Sequence, residues 1–228
     1  MRFDIITIFP HIIESYLNES IIKRAIKNGL LDVRVHNLRD FTEDKHHKVD
    51  DRPFGGGPGM VMKIEPIIKV LETTFGGETS ESMSEVSPPK VLLVLLSAKG
   101  KQFDSKQAAR FSKKYDRIFL IAGRYEGIDA RLKKVLQDSG FRIQEVSIGP
   151  YVLTGGELPA LVILDAVSRH IPGVLGKEES LEEKRHGIGV PTYTRPEVFE
   201  YKGKEYRVPK VLLSGDHKRV QDWRKSKK

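Results

Sequence analysis

The chain has 228 residues, no cysteine, and 39 lysines and arginines against 31 aspartates and glutamates, which gives a formal net charge of +8. That length can hold one large or two modest domains, and a hydrophobic content of 39% is enough for a packed core. The absence of cysteine excludes disulfide scaffolds and thiolate metal sites. Because neither a signal peptide nor a long apolar run is present, we expect a cytoplasmic protein with no membrane partner. The positive charge favours an anionic partner instead.

The first part of the chain is predicted to alternate between strand and helix. Residues 2–9 are predicted to form a strand, and apolar residues at helical spacing predict a single helix over residues 11–27. Asn28 and Gly29 are a typical helix end. Residues 31–37 alternate apolar and polar side chains, which predicts a second strand.

The middle of the chain contains a glycine-dense loop and a polar connector. In VDDRPFGGGPGM, residues 49–60, Asp50, Asp51 and Arg52 precede the glycines. Residues 76–89 are polar with glycine and proline at the ends, which predicts a flexible connector. The later elements are predicted as strand 91–97, helix 105–114, strand 118–122, helix 129–138, strand 141–147 and helix 158–169. This alternation indicates an α/β fold with a mainly parallel sheet.

Two later loops carry polar or unusual residues. The strand over 118–122 opens directly into GRYEGID, a turn that contains Arg124, Tyr125, Glu126 and Asp129. The segment SIGPYVLTGGELP, residues 147–159, combines three glycines with two prolines. Glycine allows close backbone approach and proline removes a donor, so this segment is predicted to be a rigid loop whose free backbone groups meet a ligand or another chain segment. An ordinary strand-to-helix connection is the alternative.

Common nucleotide-binding motifs are absent from the sequence. A dinucleotide-binding Rossmann fold needs a glycine-rich turn after the first strand, but TIFPHII stands there. No phosphate-binding loop of the G-x-x-x-x-G-K-[ST] type occurs either. Both classes of site are therefore excluded.

Six motifs together carry a resemblance to a known family: DDRPFGGGPGM, AGRYEGID, SIGPYVLTGGELPA, SRHIPGVLG, YTRPEV and VLLSGDH. Their order and spacing resemble the bacterial tRNA (guanine-N1)-methyltransferases, the TrmD family of the SPOUT trefoil-knot superfamily. The resemblance implies methyl transfer from S-adenosylmethionine to N1 of the guanosine on the 3′ side of the anticodon, position 37. It also implies a deep trefoil knot at the end of the large domain, with close backbone approach at Gly123, Gly149, Gly155 and Gly156.

The resemblance implies a methyl-donor pocket built from three segments of the chain. An apolar slot with free backbone groups suits adenine, because those groups can read the base without charged side chains. Leu95 and Leu96 could equally be plain strand core. The residues implied are Leu95, Leu96, Ser97, Gly123, Tyr125, Ile148, Gly149, Pro150, Tyr151, Val152 and Leu153.

Methylation of guanine N1 requires a general base, because that nitrogen carries a proton, and a cation near O6, where negative charge develops. Arg169 matches the family's catalytic arginine, and its alternative role is an i,i+4 pair with Asp165 on a helix surface. Glu126 matches an active-site carboxylate linked to the magnesium dependence of the family. Its alternative role is to cap the helix that begins near Asp129.

One departure from the family concerns the general base. Where the family has an aspartate four residues after a serine in the interdomain linker, this chain has Ser180 followed by Lys184. We expect Glu183 to act as the base, with Glu182 second and Glu126 third, because a longer carboxylate one position earlier could reach the same point. A charged, solvated linker without a catalytic role is the alternative.

The resemblance also implies contacts with RNA. Asp50 and Arg52 are expected to contact anticodon-loop guanosines, and Tyr193 and Arg195 to lie near the hinge between domains. The segment 199–228 has ten lysines and arginines against four acids, so its basic residues, Lys218 and Arg219 among them, are expected to bind tRNA. His46 and His47 could indicate a metal site, but a solvated basic loop is favoured because no spaced ligands accompany them.

The expected organisation is a knotted catalytic domain over 1–172, a linker over 173–191, and a small, truncated, mostly helical tRNA-binding domain over 192–228. Family members pair, so we expect a homodimer in which the linker and C-terminal domain of one chain reach the donor pocket of the other. Two alternatives remain. One is a knotted methyltransferase with a different RNA target, and the other is a noncatalytic RNA-binding relative.

Overall fold

The computed structural model describes residues 1–76, 89–176, 181–182 and 189–227. The connector predicted over residues 76–89 therefore lies almost wholly outside the described residues. The chain divides into two compact units, Met1–Leu175 and Gly176–Lys228. Among the described residues, no helix is long and apolar enough to cross a bilayer.

Five strands of the first unit form one sheet in which every neighbouring pair is parallel. Their spatial order is β2, β1, β6, β5, β7, where the strands are β1 (Arg2–Thr7), β2 (Asp32–Asn37), β5 (Val91–Gln102), β6 (Arg117–Ile121) and β7 (Ile143–Ser147). Two short strands, β3 (Asp50–Asp51) and β4 (Val61–Met62), form a separate antiparallel pair. The predicted α/β fold with a parallel sheet is confirmed.

Six helices connect these strands, and their bounds are α1 (Pro10–Leu17), α2 (Ser20–Lys27), α3 (Glu65–Gly76), α4 (Ser105–Lys114), α5 (Arg131–Asp138) and α6 (Glu157–Ser168). The single helix predicted over 11–27 is wrong. Asn18 Nδ2 donates to the Glu14 carbonyl oxygen at 2.9 Å, which satisfies an acceptor at the end of α1. Ser20 then adopts a left-handed backbone with φ 51°, so the chain starts a second helix in a new direction.

Both faces of the sheet are buried, because successive apolar side chains along its strands point to opposite faces. Phe3 and Ile5 of β1 face a core formed with α1, α2, α4 and α6, whereas Ile6 faces a second core formed with α3 and α5. Burial on both faces is typical of parallel sheets and explains the nearly continuous apolar run of β5. The helices thus leave the ends of the strands as the place for a site.

Over residues 189–227, the second unit combines a β-hairpin with two short helices. The hairpin consists of β8 (Val198–Tyr201) and β9 (Lys204–Arg207), and α7 (Lys210–Leu213) and α8 (His217–Lys225) follow it. Lys202 and Gly203 both have positive φ, as a two-residue hairpin turn requires. The hairpin was not part of the expected helical domain, and the expectation of a mostly helical domain stays a prediction because residues 177–180, 183–188 and 228 lie outside the described residues.

Candidate functional site

A cavity of about 470 Å³ lies where β5, β6 and β7 end. Ligands of open parallel sheets characteristically bind outside the carboxyl ends of the strands. Three segments form the wall, one from each strand: residues 95–99, residues 123–130 and residues 145–156. Each segment takes its shape from a different local feature.

The first wall segment is a bulge in β5. Val146 of β7 pairs with Leu96 and again with Lys101, so the four residues between them leave the ladder. A Cβ added at Gly100 would lie 2.5 Å from the backbone nitrogen of Val146, so only glycine fits where the bulge closes. The bulge places Ser97 at the cavity instead of in the sheet.

The second wall segment is the turn after β6. Tyr125 has φ 59°, a left-handed conformation that is uncommon for a residue with a side chain, and the Gly127 N–H closes the turn on the Arg124 carbonyl oxygen at 3.1 Å. The glycine-dense segment is attached to this turn, because the Glu126 N–H donates to the Met60 carbonyl oxygen at 3.0 Å. The motif DDRPFGGGPGM therefore lies beside the cavity of its own chain.

The third wall segment is the loop between β7 and α6. The Ser147 hydroxyl donates to the Gly149 carbonyl oxygen at 2.8 Å, which fixes the start of the loop. At its end, the Gly156 N–H donates to the Gly123 carbonyl oxygen at 2.8 Å. A Cβ on Gly156 would lie 2.6 Å from Ala122 Cα, so this crossing of two backbones requires glycine.

A buried ion pair holds the second and third segments together. Arg124 Nε lies 2.8 Å from Glu157 Oε2, and Glu157 is 1% exposed. The Thr7 hydroxyl donates to the other carboxylate oxygen at 2.7 Å. A buried carboxylate needs such partners, so removal of the guanidinium would leave an uncompensated charge. Sequence analysis gave Arg124 no role, since the two partners are 33 residues apart and have no motif in common.

The acidic side chains around the cavity differ in how they are held. Asp129 accepts from both Arg131 Nε at 3.0 Å and the Arg131 backbone N–H at 3.0 Å. The side-chain hydrogen bond from Arg131 is the main cause that lowers the pKa of Asp129. Asp129, not Glu126, therefore accepts from the first backbone N–H of α5, although Ala130 holds the N-cap position. Glu145 pairs with Lys133 at 3.4 Å, whereas Glu126 packs against Gly59.

Comparison with known proteins was made over the whole chain. The model of the family tRNA (guanine-1)-methyltransferase TrmD matches residues 1–228. The chain is 46% identical over 228 residues to tRNA (guanine-N(1)-)-methyltransferase of Clostridioides difficile (strain 630), covering 99% of this chain and 91% of that relative. The chain belongs to the TrmD family. The enzyme of the same name from Dictyoglomus turgidum is 47% identical, with 99% and 84% covered, and that from Thermomicrobium roseum is 46% identical, with 99% and 78% covered.

The cavity collects most of the residues that the resemblance to the TrmD family assigns to the methyl donor. Ten of the eleven line it, and Pro150 does not. Glu126 also lines it. The ten are Leu95, Leu96, Ser97, Gly123, Tyr125, Ile148, Gly149, Tyr151, Val152 and Leu153.

Arg169, the other expected catalytic residue of the first unit, does not line the cavity of its own chain. Arg169 follows α6, whose Pro159 lines the cavity, so ten residues of helix separate the two by about 15 Å at 1.5 Å per residue. Glu183 lies outside the described residues. Glu182 is described, and its Oε1 accepts from the Gly189 N–H at 3.1 Å.

The expected RNA-binding residues fall into two groups. Asp50 pairs with Met62 in the β3–β4 ladder, close to the turn after β6, and Arg52 is exposed next to it. In the second unit, the rings of Tyr193 and Trp223 lie 6.2 Å apart. The backbone N–H groups of Lys218 and Arg219 donate to Asp216, which caps α8, and both side chains are exposed; Arg195 is exposed as well.

Within the described part of the chain, no three or more His, Cys, Asp or Glu side chains are arranged to hold a metal ion. His47 Nδ1 instead lies 3.0 Å from the Arg39 carbonyl oxygen. The described residues therefore do not form a magnesium site from protein ligands alone.

Proposed function

We propose that this protein transfers a methyl group from S-adenosylmethionine to N1 of the guanosine that follows the anticodon in tRNA, position 37. Membership of the TrmD family over the whole chain carries the proposal. A cavity at the carboxyl ends of β5, β6 and β7, lined mostly by backbone and apolar groups, supports it.

The cavity suits the methyl donor in size and chemistry. About 470 Å³ falls in the range of small-molecule sites, and such sites are mostly apolar with few polar groups. When bound, the donor supplies an electrophilic methyl group. Leu95, Ile148 and the backbone of the Gly149 loop would hold the adenosyl part, while Tyr125 and Glu126 line the same wall.

The chain must remove the N1 proton and stabilise charge on O6 of the guanine. Asp129 is a poor base because its hydrogen bonds from Arg131 lower its pKa. We keep Glu183 as the base, with Glu182 and then Glu126 as the alternatives. Glu126 lines the cavity of its own chain. Arg169 would stabilise the negative charge on O6.

A homodimer would bring Arg169 to a cavity. Leu158, Val162, Asp165 and Arg169 recur at helical spacing along one stripe of α6, and the two apolar members are 58% and 45% exposed. Tyr16 of α1 donates to Asp165 at 2.5 Å beside this stripe, and that hydrogen bond raises the pKa of Tyr16 to about 12, so the phenol stays protonated. A second copy covering the stripe would place each Arg169 near its partner's donor cavity.

The family implies a trefoil knot in the first unit, and close backbone crossings support it. Gly156 crosses the backbone of Ala122 and Gly123, and Gly100 crosses that of Glu145 and Val146. Threading one chain segment through another needs such contacts. Knots are otherwise almost absent from proteins, so the hydrophobic periodicity of a sequence would not by itself predict a knot.

The division of labour that we propose follows the expected domains. Residues 1–172 bind the donor and carry out the reaction, and residues 173–191 link the two domains. Residues 192–228 bind tRNA through basic side chains that include Lys218 and Arg219. Asp50 and Arg52 would meet the anticodon loop. The magnesium requirement stays a prediction, and the described residues form no protein cage for the ion.

The test uses tritiated S-adenosylmethionine with unmodified tRNA transcripts that carry G or A at position 37. We expect methylation of the G transcript alone, at N1, because the reaction exchanges the N1 proton of guanine for the methyl group. Nucleoside analysis of the digested RNA locates the methyl group. Methyl on another nucleotide would favour a different RNA target, and donor binding without turnover would favour a noncatalytic relative.

A further inference from the structure

One face of the β8–β9 hairpin carries three aromatic rings. Phe199 lies directly opposite Tyr206 in the ladder, and Tyr201 lies opposite Lys204. Because alternate residues of a strand share a face, these four side chains form one surface, which we call the aromatic face. The opposite face carries Val198, Glu200, Glu205 and Arg207.

The rings of the aromatic face are not part of a core. Phe199, Tyr201 and Tyr206 are 58%, 55% and 50% exposed. Single exposed apolar residues are ordinary, but three neighbouring aromatic rings on one hairpin face form a patch of the kind that marks an interaction surface.

Each tyrosine of the aromatic face has a cation beside it. Lys202 Nζ lies 5.3 Å from the centre of the Tyr201 ring, and Lys204 Nζ lies 5.5 Å from that of Tyr206. Rings that stack on bases, interleaved with cations that meet phosphates, are the combination by which proteins hold unpaired nucleotides. Protein interfaces, by contrast, are depleted in lysine. The charge of the face thus favours RNA over a protein partner.

We propose that the aromatic face stacks on unpaired bases of the tRNA, with Lys202 and Lys204 on the flanking phosphates. The inference rests on the proposed function for the identity of the RNA. It adds to that function a base-stacking surface in the second unit, separate from the donor cavity.

The experiment measures binding of the full chain to an unmodified tRNA transcript and to a fully paired RNA duplex. We expect the double variant Tyr201→Leu, Tyr206→Leu to bind the transcript about 5- to 100-fold more weakly, because each stacked base contributes substantially to affinity, and the duplex almost unchanged. Tyr201→Trp with Tyr206→Trp keeps the rings and should keep affinity. Leu213→Ala removes another exposed apolar side chain of the same unit and should have no effect.

Salt dependence separates stacking from charge. Lys202→Gln with Lys204→Gln should reduce the slope of log affinity against log salt by about 1 to 2, whereas the tyrosine variants should leave the slope unchanged. At saturating tRNA the tyrosine variants should methylate at the wild-type rate with a raised KM. If wild type methylates no tRNA, the proposed function fails, and the binding comparison still decides the role of the face.

Three outcomes would overturn the proposal. The first is unchanged transcript affinity in the Tyr→Leu double variant. The second is equal weakening for transcript and duplex, which would indicate backbone contact only. The third is unchanged RNA affinity with loss of self-association by sedimentation, which would assign the face to a protein contact. A thermal unfolding midpoint equal to that of wild type in each variant would confirm that the hairpin is still folded.

Discussion

Asp4 is the buried charge on which the first unit depends most. Its carboxylate is 0% exposed and lies 2.7 Å from both Arg117 Nε and His36 Nε2, and 3.0 Å from Arg2. Burial would raise the pKa of Asp4, but the hydrogen bonds from these three residues outweigh burial and lower the pKa to about 2. The folded pKa lies below the ordinary 3.8. The stabilisation is therefore present above pH 4 and is lost as the pH falls toward 2.

We predict that Asp4→Asn removes this pH dependence. The free energy of unfolding of wild type should fall by about 2 kcal/mol more than that of the variant between pH 4 and pH 2. At pH 7 the variant should be about 3 to 5 kcal/mol less stable, because buried Arg117 loses its counter-charge. Urea unfolding at several pH values measures both. Asp32→Asn, at an exposed ion pair, should change stability by less than about 0.5 kcal/mol, and a wild-type pH profile in Asp4→Asn would contradict the assignment.

At the scale of elements, the crossing of the β6 end by the α6 start makes a second prediction. Gly156→Ala should lower the free energy of unfolding by about 1 to 3 kcal/mol and weaken donor binding, because the new Cβ meets backbone that cannot move aside. Gly176→Ala is the matched control, since no atom of the described residues lies within 4 Å of its Cβ and its φ is unstrained. Calorimetric titration and urea unfolding measure the two effects. Equal behaviour of the two variants would mean that the crossing is loose.

Elements with a periodic buried face could be predicted from sequence, and α4 has the predicted bounds 105–114. Features that depend on residues far away in the sequence could not be predicted. The bulge after Leu96 is a shift of register between β5 and β7, and nothing in VLLVLLSAKG alone reveals that shift. The break between α1 and α2 combines the hydrogen bond of the Asn18 side chain with the left-handed backbone of Ser20.

In the candidate site, too, some features could be predicted from the sequence and others could not. The resemblance to the TrmD family named most of its wall residues, whereas the Gly and Pro positions of residues 147–159 by themselves predicted a rigid loop. The Arg124 to Glu157 ion pair could not be predicted, since only the folded sheet brings its partners together. Motif order also gave Arg169 a catalytic role, but the single chain holds it at the far end of α6 from the cavity.

At the scale of the whole molecule, the opposite placement of Arg169 and the cavity on α6 requires an explanation. The exposed apolar residues of the α6 stripe, with Phe9 and Ile12 exposed on and just before α1, form a surface that a second copy could bury. A two-fold interface is isologous, so each α6 would contribute Arg169 to the other chain. The segment that contains Arg52 is instead held beside the cavity of its own chain, because the Met60 carbonyl oxygen at its end accepts from the Glu126 N–H.

Mixing inactive variants tests this arrangement. Arg169→Ala and Gly149→Val, where the added side chain would displace the Tyr151 ring, should each be inactive alone. Their mixed dimer contains one site with an intact cavity and an intact partner arginine, so a 1:1 mixture should recover about a quarter of wild-type activity. Arg52→Ala mixed with Gly149→Val is the matched control and should recover none, because both residues act at the same chain's cavity. Recovery in the control but not in the Arg169 mixture would reverse the assignment. No recovery in the Arg169→Ala and Gly149→Val mixture would show that each chain uses its own arginine.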